Sequence, residues 1–302
     1  MARNLRFLLL CALCFLAQES FGANPPTMAE VLAAAKSSDW RPLDPNNTLY
    51  VELPAGRVII ELSPRFAPRH VHNIETLARA HYFDGLSVLR VQDDYVAQWG
   101  DPDDSRSVPP GIDRVAPEFE AALAPQAPFT RLPDGDVYAP EVGFSDGFPA
   151  ARSPRQHATW LIHCYGMVGV ARDLDVQSGN GTQLYVVIGH APRQLDRNVA
   201  LVGRVVAGMP LLASLPRGSG ELGFYAQNET RMPITAVRIA ADVAPAERTP
   251  LEILRTDTAT FAALIESRRN RPEEFFKTKA GRIEVCNVPL AVRAAPPAAH
   301  SP

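Results

Sequence analysis

The sequence predicts a mainly β protein with helices at its margins, and three observations carry that expectation. Leu49, Val51 and Leu53 alternate, a Pro54-Ala55-Gly56 turn follows, and Val58, Ile60 and Leu62 alternate again, which is the period-two signature of a β-hairpin. A second pair of short runs surrounds an arginine: Ser87-Val88-Leu89-Arg90-Val91, an acidic turn at Asp93-Asp94, then Tyr95-Val96-Ala97-Gln98. A third stretch, Gly166-Met167-Val168-Gly169-Val170-Ala171-Arg172, reads as a buried strand with glycines where backbones approach closely.

The elements follow in order. Arg3 and Arg6 precede an apolar run from Leu8 to Ala17, and Ser20 and Gly22 offer the small residues of a cleavage site. Residues 1–22 are therefore expected to be a secretory signal peptide, the apolar run being too short to span a bilayer. Residues 23–45 form a helical extension, because Thr27-Met28-Ala29-Glu30 has the form of a capping box and Met28, Val31, Leu32 and Ala35 share a helix face. The hairpin over 48–62 comes next. Pro68 then suits the first turn of a helix whose apolar face is Val71, Ile74, Leu77 and Ala78. His70 and His72 diverge on that helix and are expected at a solvated surface rather than on a metal.

Residues 102–157 are rich in proline, aspartate and alanine and carry little periodicity, so they are expected to be an insertion in the strand-rich region. Beyond Pro245 a C-terminal extension, residues 244–293, holds a helix capped near Thr256-Asp257 with Phe261, Leu264 and Ile265 on one face. Arg282 to Val288 reads as a short strand. Residues 294–302, rich in proline and alanine, are expected to be a disordered tail.

Composition narrows the function. The chain has 302 residues, 46% apolar and 21% charged, with a net charge of −3, so it can bury a real core. Removing residues 1–22 deletes two arginines and one glutamate and takes the net charge from −3 to −4. No basic tract points to nucleic acid. Of four cysteines, Cys164 and Cys286 alone survive removal of the leader. Two thiols and scattered histidines do not make a zinc site; in an oxidising compartment the two could pair. Gly218-Ser219-Gly220 is a fragment of a G-x-S-x-G pattern and reads as a loop.

Alternation sends Val96 and Gln98 to one face and sets Arg90 opposite in facing to Leu89 and Val91. Arginine, glutamine and apolar side chains could thus line one concave surface. From Arg90 to Asp101 the chain resembles the central motif of cyclophilin-type peptidyl-prolyl isomerases, roughly F-H-R-[VI]-x-x-x-F-[MV]-x-Q-x-G-D, with Leu89 for the usual histidine and Trp99 for a frequent glycine. Asn180-Gly181-Thr182-Gln183-Leu184-Tyr185 resembles a second block of that family. Leu195-Asp196 and Leu201-Val202-Gly203-Arg204-Val205 resemble a third, with Gln194 where many members carry tryptophan and Val199 where many carry histidine. The resemblance covers about residues 46–243 and is that of an exported, bacterial-like member.

That resemblance implies a closed antiparallel eight-stranded barrel capped by two helices, with N- and C-terminal extensions. It implies a peptidyl-prolyl cis-trans isomerase with no cofactor or metal. Arg90 and Gln98 would be its catalytic pair. Tyr95, Val96, Leu184 and Leu195 would form the proline pocket, and Ala171 and Gln183 would bind the flanking backbone. The expected partners are proline-containing segments of exported proteins, met in the periplasm or outside the cell, without stable membrane insertion. A non-catalytic peptide-binding chaperone, or an envelope scaffold docking through residues 245–293, is the alternative use of the same fold.

Overall fold

The computed structural model describes residues 25–296 apart from Pro102, Asp104 and Asp113. The expected signal peptide, residues 1–22, lies outside the described residues, as does most of the expected tail. Ala294 itself closes a strand, Val292–Ala294.

Eight antiparallel strands form the main sheet. Their order is Ala236–Ile239, Thr48–Leu53, Gly56–Leu62, Leu201–Ala207, Met167–Val170, Gln183–Val187, Val96–Gly100 and Ser87–Val91. One face packs Leu49, Ile60, Val88, Trp99, Val168 and Val186 into a continuous core. The amphipathic helix Pro68–Arg79 covers it with Val71, Ile74, Leu77 and Ala78, and the short helix Met209–Ala213 adds Leu212. These are the two caps expected.

The expected closed barrel is corrected. The outer strands, Ala236–Ile239 and Ser87–Val91, form no ladder with each other, so the sheet is a half-barrel. The chain leading into Ala236–Ile239 meets the arginine strand at isolated bridges, Ser87 to Pro233 and Arg90 to Phe224, and through the Gly218 N–H to the Val91 carbonyl.

The insertion is not a loop. It builds a five-stranded antiparallel sheet, in the order Ala121–Ala122, Ala158–Leu161, Phe148–Ser153, Glu141–Ser145 and Thr130–Leu132. Small residues such as Ala150, Ala151 and Ala158 lie in its core, which explains why no large-apolar alternation was visible. Onto that core fold both extensions: Val31 of helix Met28–Ala33, Trp40, and Phe261, Leu264 and Ile265 of helix Ala259–Arg269. A three-stranded sheet, Trp40–Pro42, Leu251–Leu254 and Val292–Ala294, ties the two extensions together. The described residues thus hold four α-helices, two on each core.

Thr27 and Glu30 make the capping box that the sequence suggests. The C-terminal helix is capped by Thr258, directly after the expected Thr256-Asp257. Arg282–Val288 is not a strand: it carries a 3-10 turn, Val285–Asn287, placing Cys286 against Cys164. Those cysteines are bridged, with Cα atoms 5.0 Å apart and a sequence separation of 122. His70 is likewise corrected: it is buried, with Nδ1 2.7 Å from Glu118 Oε2, while His72 is exposed. Glu118, from the insertion, also accepts the N–H groups of Arg69 and His70 at 3.1 and 3.0 Å. Helix Pro68–Arg79 has no side-chain cap of its own, so this borrowed carboxylate serves its N-terminus.

Candidate active site

A groove of about 940 Å³ opens on the side of the main sheet away from its core. The ladder explains who lines it. Arg90 lies directly across from Gln98, and Gln98 directly across from Tyr185 on the next strand. Side chains on one sheet face recur every second residue, so Val96 and Gln98, and Gln183 and Tyr185, look into the groove, while Ala97, Trp99 and Leu184 look into the core.

Leu184 as a pocket wall is therefore corrected. It is 1% exposed within the main core, and Tyr185 takes the wall instead. The second correction concerns Leu89. The ladder slips between Val88 and Arg90, leaving Leu89 as the extra residue of a bulge. Leu89 thereby joins Arg90 on the groove side rather than facing away from it.

Arg90 is held on several sides. Its Nη1 donates to Gln98 Oε1 at 3.2 Å, its Nη2 donates to Gln92 Oε1, and its Nε donates to the Leu222 carbonyl at 2.7 Å. The guanidinium carbon stands 5.5 Å from the Tyr95 ring centroid and 5.4 Å from that of Phe224. Burial pushes the guanidinium below its usual value and the Tyr95 side chain offsets this in part, yet an arginine stays charged at neutral pH. Five N–H groups minus these three leave one on each terminal nitrogen for a ligand.

Gln98 continues the chain. Its Nε2 donates to Gln183 Oε1 at 2.9 Å, and Gln183 Nε2 donates to the Asp101 carbonyl at 3.0 Å. Arginine to amide to amide to backbone is a one-way donor sequence, and each bond fixes the orientation of the next amide. Gln183 is thus engaged in positioning Gln98. The Ala171 N–H donates to the Gln183 carbonyl at 3.0 Å, so it is the rest of Ala171 that faces the groove.

The apolar end of the groove is built by Val96, Tyr185 and Val187, with half-buried Tyr95, Ala171 and Val199 packed on them, and Leu195 beside them. Gly169 is what lets the tyrosine in: a Cβ there would lie 2.3 Å from the Tyr185 phenol. Burial pushes the Tyr185 hydroxyl up, so it keeps its proton. That hydroxyl is 2.9 Å from His163 Nε2, and His163 is fully buried.

Among the residues not singled out from sequence, Gln92, Leu222 and Phe224 clamp Arg90, and His163 holds Tyr185. The Gly218-Ser219-Gly220 loop opens the clamp segment. Gly223 has φ +80°, and a Cβ there would strike the Gln92 backbone at 2.6 Å, so glycine is required. That glycine cluster was the available signal.

Residues 48–241 match the family described as cyclophilin type peptidyl-prolyl cis-trans isomerase/CLD. A probable peptidyl-prolyl cis-trans isomerase of Brucella suis biovar 1 (strain 1330) is 29% identical over 176 residues, covering 58% of this chain and 74% of the relative. Human peptidyl-prolyl cis-trans isomerase-like 1 is 32% identical over 99 residues, covering 33% of this chain and 56% of that one. The crystal structure of cyclophilin AquaCyp293 from Hirschia baltica superposes with a TM-score of 0.69 at 26% identity, covering 90% of this chain and 99% of that one. That coverage runs beyond residues 48–241, so much of the accessory core has a counterpart there. With a family match over more than half its length and an arginine–glutamine pair facing an apolar groove, this chain belongs to the cyclophilin-type peptidyl-prolyl cis-trans isomerases.

Proposed function

We propose that this isomerase acts on X-Pro bonds of exported proteins and that Arg90 stabilises the twisted bond. The observation that carries the mechanism is the clamped Arg90, with one N–H left on each terminal nitrogen beside an apolar recess. Rotation about a peptide bond is opposed by about 18–20 kcal/mol because the nitrogen lone pair is delocalised into the carbonyl. As the bond twists, that lone pair returns to nitrogen and becomes a hydrogen-bond acceptor. A fixed cationic donor meets it better than it meets the planar ground state, and such differential binding is catalysis. The recess of Tyr95, Val96, Tyr185 and Leu195 grips the proline ring. No nucleophile or general base is needed.

Export rests on the leader-like residues 1–22 and on the Cys164–Cys286 bridge, since disulfides persist in oxidising compartments. Proline-containing segments of proteins in the periplasm or outside the cell are the substrates this reading assigns. A protease-coupled assay on an Ala-Ala-Pro-Phe anilide tests the mechanism: wild type should accelerate isomerisation, and Arg90→Ala should do so far less. Fractionation of cells expressing the full chain tests the compartment, and a wholly cytoplasmic protein with reduced Cys164 would reject export.

A further inference from the structure

The groove has two walls, and the arginine wall is secured by neutral acceptors close around it. From the Tyr185 hydroxyl a second polar chain runs away from the groove. His163 Nδ1 and its backbone N–H lie 2.9 and 3.0 Å from Asp196 Oδ1. Asp196 Oδ2 accepts Arg193 Nε at 2.7 Å. Arg193 then makes a bidentate pair with Asp136 at 2.8 and 2.9 Å. Every member from Tyr185 to Asp136 has a side chain less than a tenth exposed. Asp136 belongs to the insertion, and Glu284 of the C-terminal extension stands 3.6 Å from Arg193 on the same side.

Partner chemistry fixes the direction of the chain. An ionised carboxylate only accepts, so Nδ1 of His163 carries a proton, and in the neutral ring Nε2 accepts from the Tyr185 hydroxyl. The two histidine nitrogens are thus saturated, one by the accessory core through Asp196 and one by the groove. Leaving any of these buried groups unpaired costs more than an exposed hydrogen bond would. So the phenol has one low-energy position, set by residues that touch no substrate.

We propose that Asp136, Arg193, Asp196 and His163 form a positioning relay through which the accessory core sets the Tyr185 wall and thereby the groove's affinity for proline. This rests on reading the groove as the proline site. Arg90 is fixed by other bonds, so the relay acts on peptide affinity and KM more than on kcat.

The test measures the dissociation constant of an Ala-Ala-Pro-Phe peptide by calorimetric titration, with KM and kcat from the coupled assay. Asparagine reaches about as far as Nδ1 and glutamine about as far as Nε2. His163→Asn therefore keeps the Asp196 contact and loses Tyr185, and His163→Gln restores a partner for the phenol. His163→Asn and Tyr185→Phe should each weaken affinity about 3- to 10-fold, the worth of one buried hydrogen bond. His163→Gln should recover part of that loss. In the Tyr185→Phe background, His163→Asn and Asp136→Asn should have no further effect, because the relay speaks only through the hydroxyl. Equal weakening in both backgrounds would make the network merely structural and overturn the relay, as would unchanged affinity in His163→Asn. Should Asp136→Asn not fold, the histidine pair decides alone. Peptide binding without acceleration would remove the catalytic reading and leave the affinity cycle able to judge the relay; no peptide binding by wild type would overturn both.

Discussion

The two walls of the groove are held by different physics. The arginine wall is secured by neutral acceptors, from Arg90 to Gln98 to Gln183 to the Asp101 backbone across three adjacent strands, with Gln92 and the Leu222 carbonyl completing the clamp. The aromatic wall is secured by buried ions that reach out of the sheet, Tyr185 to His163 to Asp196 to Arg193 to Asp136. Neutral acceptors hold the donor without burying a second charge. Buried charge pairs are strong only while each partner is present, and costly when one is lost. If the relay acts as proposed, chemistry and affinity are tuned separately on this fold, the first at the Arg90 clamp and the second through the accessory core.

The largest expected effect breaks the foundation of the aromatic wall. Cys164 follows His163 directly, and its bridge to Cys286 closes a loop with a sequence separation of 122. The chain-entropy estimate for such a loop is about 5 kcal/mol, model-dependent. Replacing both cysteines with serine should lower the urea unfolding free energy by up to about that much. Peptide affinity should fall with it, while the Arg90 clamp, which contains neither cysteine, stays intact. A stability change below about 1 kcal/mol would show that packing alone holds the accessory core.

Next comes the donor itself. Arg90→Ala should cut kcat/KM by about 10²–10³-fold, or about 3–4 kcal/mol, with an unchanged melting curve, since Arg90 faces the groove and not the core. Arg90→Lys should recover only part, because lysine keeps the charge and loses the planar fork that engages Gln92, Gln98 and Leu222 together. Full activity in Arg90→Ala would remove it from the mechanism. Gln98→Ala is smaller: it leaves the guanidinium two of its three protein acceptors. A loss of about 10-fold in kcat at similar KM is expected, and a pure KM effect would place Gln98 in peptide binding instead.

The arginine wall was legible because a ladder's facing follows from period two, and Arg90, Val96 and Gln98 fall in step. The same rule, counted on from Gln183, would have chosen Tyr185 over Leu184. Leu89 was not legible, since a one-residue bulge reverses facing without leaving a mark in the pattern. The accessory core escaped for two reasons. Its strands are short and alanine-rich, and its core is completed by helices more than a hundred residues apart, Met28–Ala33 and Ala259–Arg269. The relay is equally non-local, with Asp196 and His163 33 positions apart and Arg193 and Asp136 57 apart.

The smallest effect sharpens the comparison, because it loosens the insertion at a point away from the groove. Glu118 accepts from the His70 ring and from the N–H groups of Arg69 and His70 at the start of helix Pro68–Arg79. Burial opposes its charge, but the His70 side-chain bond and the backbone bonds outweigh that and hold its carboxyl below the ordinary value. A folded-state value below the unfolded one means stability that is present at neutral pH and lost as pH falls through the folded value. Unfolding free energy should therefore drop below about pH 4, and less steeply in Glu118→Gln. At pH 7 that substitution should cost about 1 kcal/mol, the worth of a charged cap at a helix N-terminus. Peptide affinity should not change, since neither Glu118 nor His70 lines the groove. If Glu118→Gln weakened peptide binding as much as Asp136→Asn does, the accessory core would be acting on the groove through overall rigidity, and the distinction between the two walls would fail.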